Sequence, residues 1–177
     1  MLSRVVRYGL VAGLIVGVPL FGLTVALNGL PPTRYGAVIG YTTMLIALSA
    51  VFVAIKRHRD VDLGGVIRFW PALGLGLGIS LVAAIIYVAA WEAALAVIHS
   101  DFAGTYANAL IEQEKAKGVS GEALAKFIAE MERFKTQYKN PLYRLPMTFA
   151  EIFPIGVLVS LVSAGLLRNS RFLPARR

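Results

Sequence analysis

Trp70-Pro-Ala-Leu-Gly-Leu-Gly-Leu-Gly-Ile-Ser-Leu-Val-Ala-Ala-Ile-Ile-Tyr-Val-Ala-Ala-Trp91-Glu92 is the stretch whose reading decides the fold. No charged side chain lies between its two tryptophans, which stand 21 positions apart. As a helix that separation is about 32 Å at 1.5 Å per residue. A hydrocarbon core is about 30 Å thick, and indole rings favour both of its boundaries. The segment therefore reads as a helix crossing a bilayer, with Trp70 and Trp91 marking the two faces and Pro71 suited to its first turn.

Three further apolar runs share its character. The expected spans are about residues 8–27, 35–55, 71–98 and 147–167. The first follows Arg4 and Arg7, a pattern shared with signal peptides. It is longer than the roughly 7–15 residues of a signal core and no small-x-small cleavage site follows, so it reads as a retained span. Asn28-Gly29-Leu30-Pro31-Pro32 is a turn by composition. Lys56-Arg57-His58-Arg59 ends the second run, and a polar loop with Asp60, Asp62 and Gly64-Gly65 follows.

Residues 99–146 are the long polar segment and read as a helical hairpin. Its first helix spans about Phe102 to Lys117, capped by Ser100 or Asp101 and stopped by Gly118. The second spans about Gly121 to Tyr138 with Ser120 as N-cap. Leu124, Phe127, Ile128, Met131, Phe134 and Tyr138 draw one apolar stripe along it. That face needs a cover: the first hairpin helix, the membrane surface, or a partner. The expectation is an all-α membrane protein of four transmembrane helices, with an extracytoplasmic hairpin between spans three and four.

Composition agrees. The hydrophobic fraction is 57% and the charged fraction 16%, against roughly 45–50% and about 25% in soluble domains. The formal charge of +8 does not point to nucleic acid, because the basic residues sit at the ends of apolar runs and no nucleic-acid motif accompanies them. Ten Lys and Arg near span ends fall on one side: Arg4, Arg7, Lys56, Arg57, Arg59, Arg68, Arg168, Arg171, Arg176 and Arg177. By the positive-inside rule both termini are cytoplasmic, in the inner membrane of a bacterial host. With no cysteine, disulfides and thiolate metal sites are excluded.

Helices in lipid associate through close packing more than through hiding apolar surface. Small residues four apart recur: Gly9, Gly13 and Gly17; Gly36 and Gly40; Gly74 and Gly78; Gly156 and Ser160. They predict a tight bundle, packed within one chain or between copies.

Glu92 and Glu151 are the two carboxylates within the apolar runs, and intramembrane ionisable groups are functional candidates. At 100° per residue Glu92 shares the face of Gly74 and lies within about 40° of Gly78, so it points inward. The two glutamates could share one site near the outer boundary, with Arg34 or Arg144 as counter-ion. Against this, Glu92 adjoins the interfacial Trp91, and Thr148-x-x-Glu151 has the form of a capping box opening the fourth helix. Pro154 removes a backbone bond to Ala150, which a neighbouring helix or water commonly makes good. Gly74-x-Gly76-x-Gly78 lacks the strand of a phosphate-binding loop. Asp60-x-Asp62 lacks the closing glutamate of a calcium loop and reads as a solvated turn. His58 and His99 lie on opposite sides and cannot share a metal. No metal or other cofactor is expected.

Several segments resemble a bacterial membrane family known as domain of unknown function 4199. They are Tyr8-Gly-Leu-Val-Ala-Gly-Leu-Ile, Tyr41-Thr-Thr-Met-Leu-Ile-Ala-Leu-Ser, Phe52-Val-Ala-Ile-Lys, Ile79-Ser-Leu-Val-Ala-Ala-Ile-Ile-Tyr-Val, Tyr138-Lys-Asn-Pro141 and Thr148-Phe-Ala-Glu-Ile-Phe-Pro-Ile-Gly156. The last two are the most specific. The resemblance implies a four-span inner-membrane protein and brings no catalytic residues. The expected function is a non-enzymatic structural or interaction component, with the bilayer and either a second copy or another membrane protein as partners. The alternative is a small oligomeric or proton-coupled transporter using Glu92. An enzyme acting on lipid would need more polar residues clustered at one interface.

Overall fold

The computed structural model describes residues 2–29 and 36–174. Six α-helices carry the described fold: α1 (Leu2–Ala26), α2 (Gly36–Arg57), α3 (Phe69–Val97), α4 (Phe102–Ala116), α5 (Gly121–Tyr138) and α6 (Pro141–Leu167). Four of them are long and apolar enough to cross a membrane: α1, α2 with its extension, α3 and α6. They close into a ring in which α1 packs on α3, α3 on α6, α6 on α2 and α2 on α1. The helical pair α4–α5 sits at one end.

Glycine sets two of these interfaces. On α1, an added Cβ at Gly9 would lie 2.5 Å from Val82 Cβ, at Gly13 2.7 Å from Ile86 Cβ, and at Gly17 3.1 Å from Ala90 Cβ. Both series rise by four, so α1 and α3 run parallel with backbones in close approach. Between α3 and α6 the match is reciprocal and antiparallel. A Cβ at Gly76 would meet Ser160 Oγ at 2.8 Å, and one at Gly156 would meet Ser80 Cβ at 2.6 Å. The hydroxyls of Ser80 and Ser160 lie 3.2 Å apart, and Ser160 donates to the Gly156 carbonyl at 2.7 Å. Gly76 and Ser80 thus occupy the place on α3 that the spacing of Gly74 and Gly78 had claimed. Nothing lies within 4 Å of a Cβ at Gly74, and Gly78 faces Val5 of α1 at 3.1 Å. A Cβ at Gly40 also meets nothing within 4 Å, and Gly36 is the first residue of α2.

Cross-links between helix ends fix the path of the chain. At one end Arg4 of α1 pairs with Asp62, which follows α2, and Arg59 reaches the carbonyls of Phe172 and Leu173 beyond α6. At the other end Ser100 Oγ, after α3, donates to the Asn28 carbonyl after α1 at 2.5 Å. Asn28 and Gly29 both adopt positive φ (48° and 72°), and the Gly29 amide donates to Thr24 at 2.9 Å, closing α1 in a glycine-type C-cap. Residues 4 and 172 therefore lie at one end of the bundle, and α4–α5 at the opposite end.

Three local features differ from the expectation and one matches it. The segment after Arg57 is a π-helical turn, His58–Asp62, that prolongs α2, instead of a solvated loop. The start of α4 matches: the chain breaks after α3, with Ile98 extended, and Asp101, one of the two expected caps, accepts from the Gly104 amide at 3.2 Å. Ser120 holds the N-cap position of α5 but its side chain makes no capping bond. The last helix starts at Pro141, several residues before 147, because Asn140 Oδ1 accepts from the Leu142 amide at 3.0 Å and proline fills the first turn. Thr148 and Glu151 are consequently mid-helix, and the capping-box reading fails: Thr148 Oγ1 donates back to the Arg144 carbonyl at 3.1 Å.

Candidate functional site

Polar side chains converge where α4–α5 meets α3 and α6. The corner that builds this site is Tyr138-Lys139-Asn140-Pro141. It ends α5, caps α6 and sets Arg144 one turn into α6. From there Arg144 reaches in two directions. Its Nε and Nη2 donate to Glu92 Oε1 and Oε2 at 2.7 and 2.5 Å, while Nη1 donates to the Tyr138 carbonyl at 3.1 Å. The pair is bidentate, the geometry in which a guanidinium fork matches a carboxylate best. Side-chain exposure is 16% for Arg144 and 29% for Glu92, so both charges are largely withdrawn from the surroundings.

Aromatic rings cover the pair. Trp91 Nε1 donates to Tyr138 Oη at 2.7 Å. The Trp91 ring meets Phe102 edge-on at 4.8 Å, and Phe102, Tyr106, Phe134 and Tyr138 form a continuous cluster with centroids 5.1–6.0 Å apart. The Arg144 guanidinium lies 5.7 Å from the Tyr138 ring centre, a cation–π distance. Burial pushes the Tyr138 hydroxyl up to about 12, so it stays protonated and accepts from the indole. The α5 stripe thus finds its cover on α4 at Phe134 and Tyr138, with Leu124, Phe127, Ile128 and Met131 half-buried. Trp91 serves as a joint between α3 and the hairpin, whereas Trp70 is 77% exposed at the other end of α3.

Glu151 has a different partner from Glu92. Tyr87 Oη, one helical turn before Trp91, donates to Glu151 Oε2 at 3.2 Å. Tyr87 is buried while Glu151 is exposed on α6. Of the two counter-ions considered, Arg144 holds Glu92; Arg34 lies outside the described residues. Among the described residues no three His, Asp or Glu side chains gather as a metal site would require.

A second polar network lies at the opposite end and was not anticipated. Arg59 is fully buried. Its Nε donates to Asp60 Oδ1 at 2.6 Å, Nη1 to Phe172 O at 2.9 Å and Nη2 to Leu173 O at 2.5 Å. It draws the segment after α6 across the end of α2, where Phe172 meets Phe52 edge-on at 6.5 Å. Lys56 pairs with Asp60 at 2.5 Å. His58 Nδ1 lies 2.6 Å from Asp62 Oδ2 and 2.8 Å from Arg4 Nη1. Asp60 and Asp62, read from the sequence as part of a solvated turn, are thus engaged by basic side chains. One signal could have revealed Arg59: it falls four residues after Ile55, on the buried stripe of Met44, Leu48, Val51 and Ile55.

Comparison with known families places the chain. The profile of the family described as "Protein of unknown function (DUF4199)" matches residues 7–169. That range takes in all six helices apart from the first residues of α1. No curated protein matches the chain, and no solved structure does.

Proposed function

The chain belongs to the DUF4199 family, and from that premise we propose that it is a non-enzymatic structural or interaction component of the bacterial inner membrane. In this reading both termini are cytoplasmic and α4–α5 is a rigid extracytoplasmic platform, offered to a second copy or to another membrane protein. One observation carries it: both oxygens of Glu92 are held by Arg144, which also holds the Tyr138 carbonyl. A carboxylate so engaged joins three elements and is poorly placed to load and release a proton, because each protonation would break a charge-assisted fork.

The alternative, a small oligomeric or proton-coupled transporter using Glu92, draws support from Glu151. This second carboxylate is exposed on a membrane-spanning helix and bonded to Tyr87 alone among the described side chains. Proton flux into pH-loaded liposomes separates the two readings. Wild-type protein and Glu92→Gln should both match protein-free liposomes. A proton flux that wild type supports and Glu92→Gln abolishes would establish the transporter instead.

A further inference from the structure

Asp60 and Asp62 neutralise only part of the positive charge at the basic end. Between the start of α1 and the end of α2 lies a cavity of about 170 Å³ lined by Ser3, Arg4, Arg7, Tyr8, Ala54 and Arg57. Three arginines and two hydroxyl-bearing residues line it, and no carboxylate does. The nearby acids are already engaged: Asp62 by Arg4 and His58, Asp60 by Lys56 and Arg59. Among the described residues Arg7 and Arg57 have no ion-pair partner. An unneutralised pair of this kind, in a concave site with hydroxyl donors beside it, selects an anion with several acceptor oxygens.

The surface running on from the cavity indicates what carries that anion. One turn along α1 from Arg7 stands Val11, then Leu14 and Val18; one turn back along α2 from Arg57 stands Val53, then Ile46. All five are exposed. A basic pocket continued by two apolar strips on membrane-spanning helices has the layout of a phospholipid, with head group in the pocket and acyl chains along the strips. We propose that this cavity binds the phosphate of an anionic phospholipid head group. Zwitterionic lipids bind it less well, because no free carboxylate is left to meet a choline or ethanolamine.

Native mass spectrometry of the delipidated full-length protein, titrated with phosphatidylglycerol, tests the site. Arg7→Gln with Arg57→Gln should weaken binding about 30-fold, at about 1 kcal/mol per basic side chain near the membrane surface. Arg168→Gln with Arg171→Gln removes the same charge from the same end, outside the cavity, and should leave binding close to wild type. Each single cavity variant serves if the double variant fails to fold. Phosphatidylcholine should bind more weakly than phosphatidylglycerol, and inorganic phosphate at equal concentration should not displace the lipid. The proposal is overturned if the cavity and control variants lose the same affinity, if phosphatidylcholine binds equally, or if inorganic phosphate competes as well as the lipid.

Discussion

Replacing Arg59 with alanine should lower the unfolding free energy of the purified protein in detergent by about 3–5 kcal/mol, the scale for breaking a buried charge pair. The guanidinium is 0% exposed and divides its donors between Asp60, Phe172 and Leu173. Its loss strands the two carbonyls of the segment after α6 and leaves a cavity against α2. The final turn of a helix has carbonyls without intrahelical partners, and Arg59 Nη1 also lies 3.5 Å from that of Leu167. Arg59→Lys should recover only part of the loss, because an ammonium on a flexible stem cannot hold three acceptors in a planar fork. Arg171→Ala, an exposed change at the same end, should stay within about 0.5 kcal/mol of wild type. Equal melting of Arg59→Ala and Arg171→Ala would remove Arg59 from its structural role.

The Glu92–Arg144 pair should show the second-largest effect. Arg144→Ala or Glu92→Ala alone should cost about 2–3 kcal/mol, since each leaves a partly buried partner unsatisfied. The double variant should cost little more than either single one, so that the double-mutant cycle returns a large coupling energy. Arg144→Ala should also free the corner at Lys139, because the Tyr138 carbonyl loses its donor. Trypsin would then cut there faster than in Glu92→Ala. Additive single-variant losses would mean that the two side chains do not act together.

Much of this architecture can be read from residue order, for physical reasons. Run length alone separates α1, α2, α3 and α6 from core helices of a soluble domain, because a bilayer demands about 20 apolar residues. Gly9, Gly13 and Gly17 form a legible interface because α1 packs on a single neighbour along that face. On α3 the same logic chose Gly74 and Gly78, whereas Gly76 and Ser80 meet α6. That helix is enclosed by α1 on one side and α6 on another, so it is apolar nearly all round and its sequence marks no single inner face. The start of α6 at Pro141, ahead of the expected 147, was hidden because residues 141–146 are less apolar than the run that follows. Arg59 was hidden by its basic neighbours: Lys56 and Arg57 flank a span, while Arg59, two positions on, is rotated inward. Glu92 was legible as a polar group out of place, and Arg144 as one of two counter-ions offered for it. The choice between them depends on the Asn140-Pro141 corner, which sets Arg144 one turn into α6 and within reach of Glu92.

The central claim is that four apolar helices cross a bilayer, with Asp62 and the α4–α5 pair on opposite sides of it. Because the chain has no cysteine, single Val61→Cys and Ala125→Cys variants can each be labelled with a membrane-impermeant maleimide in intact cells and in inside-out vesicles. Only Ala125→Cys should react in intact cells, and only Val61→Cys in the vesicles. Labelling of both positions from the same side would contradict the four-crossing path.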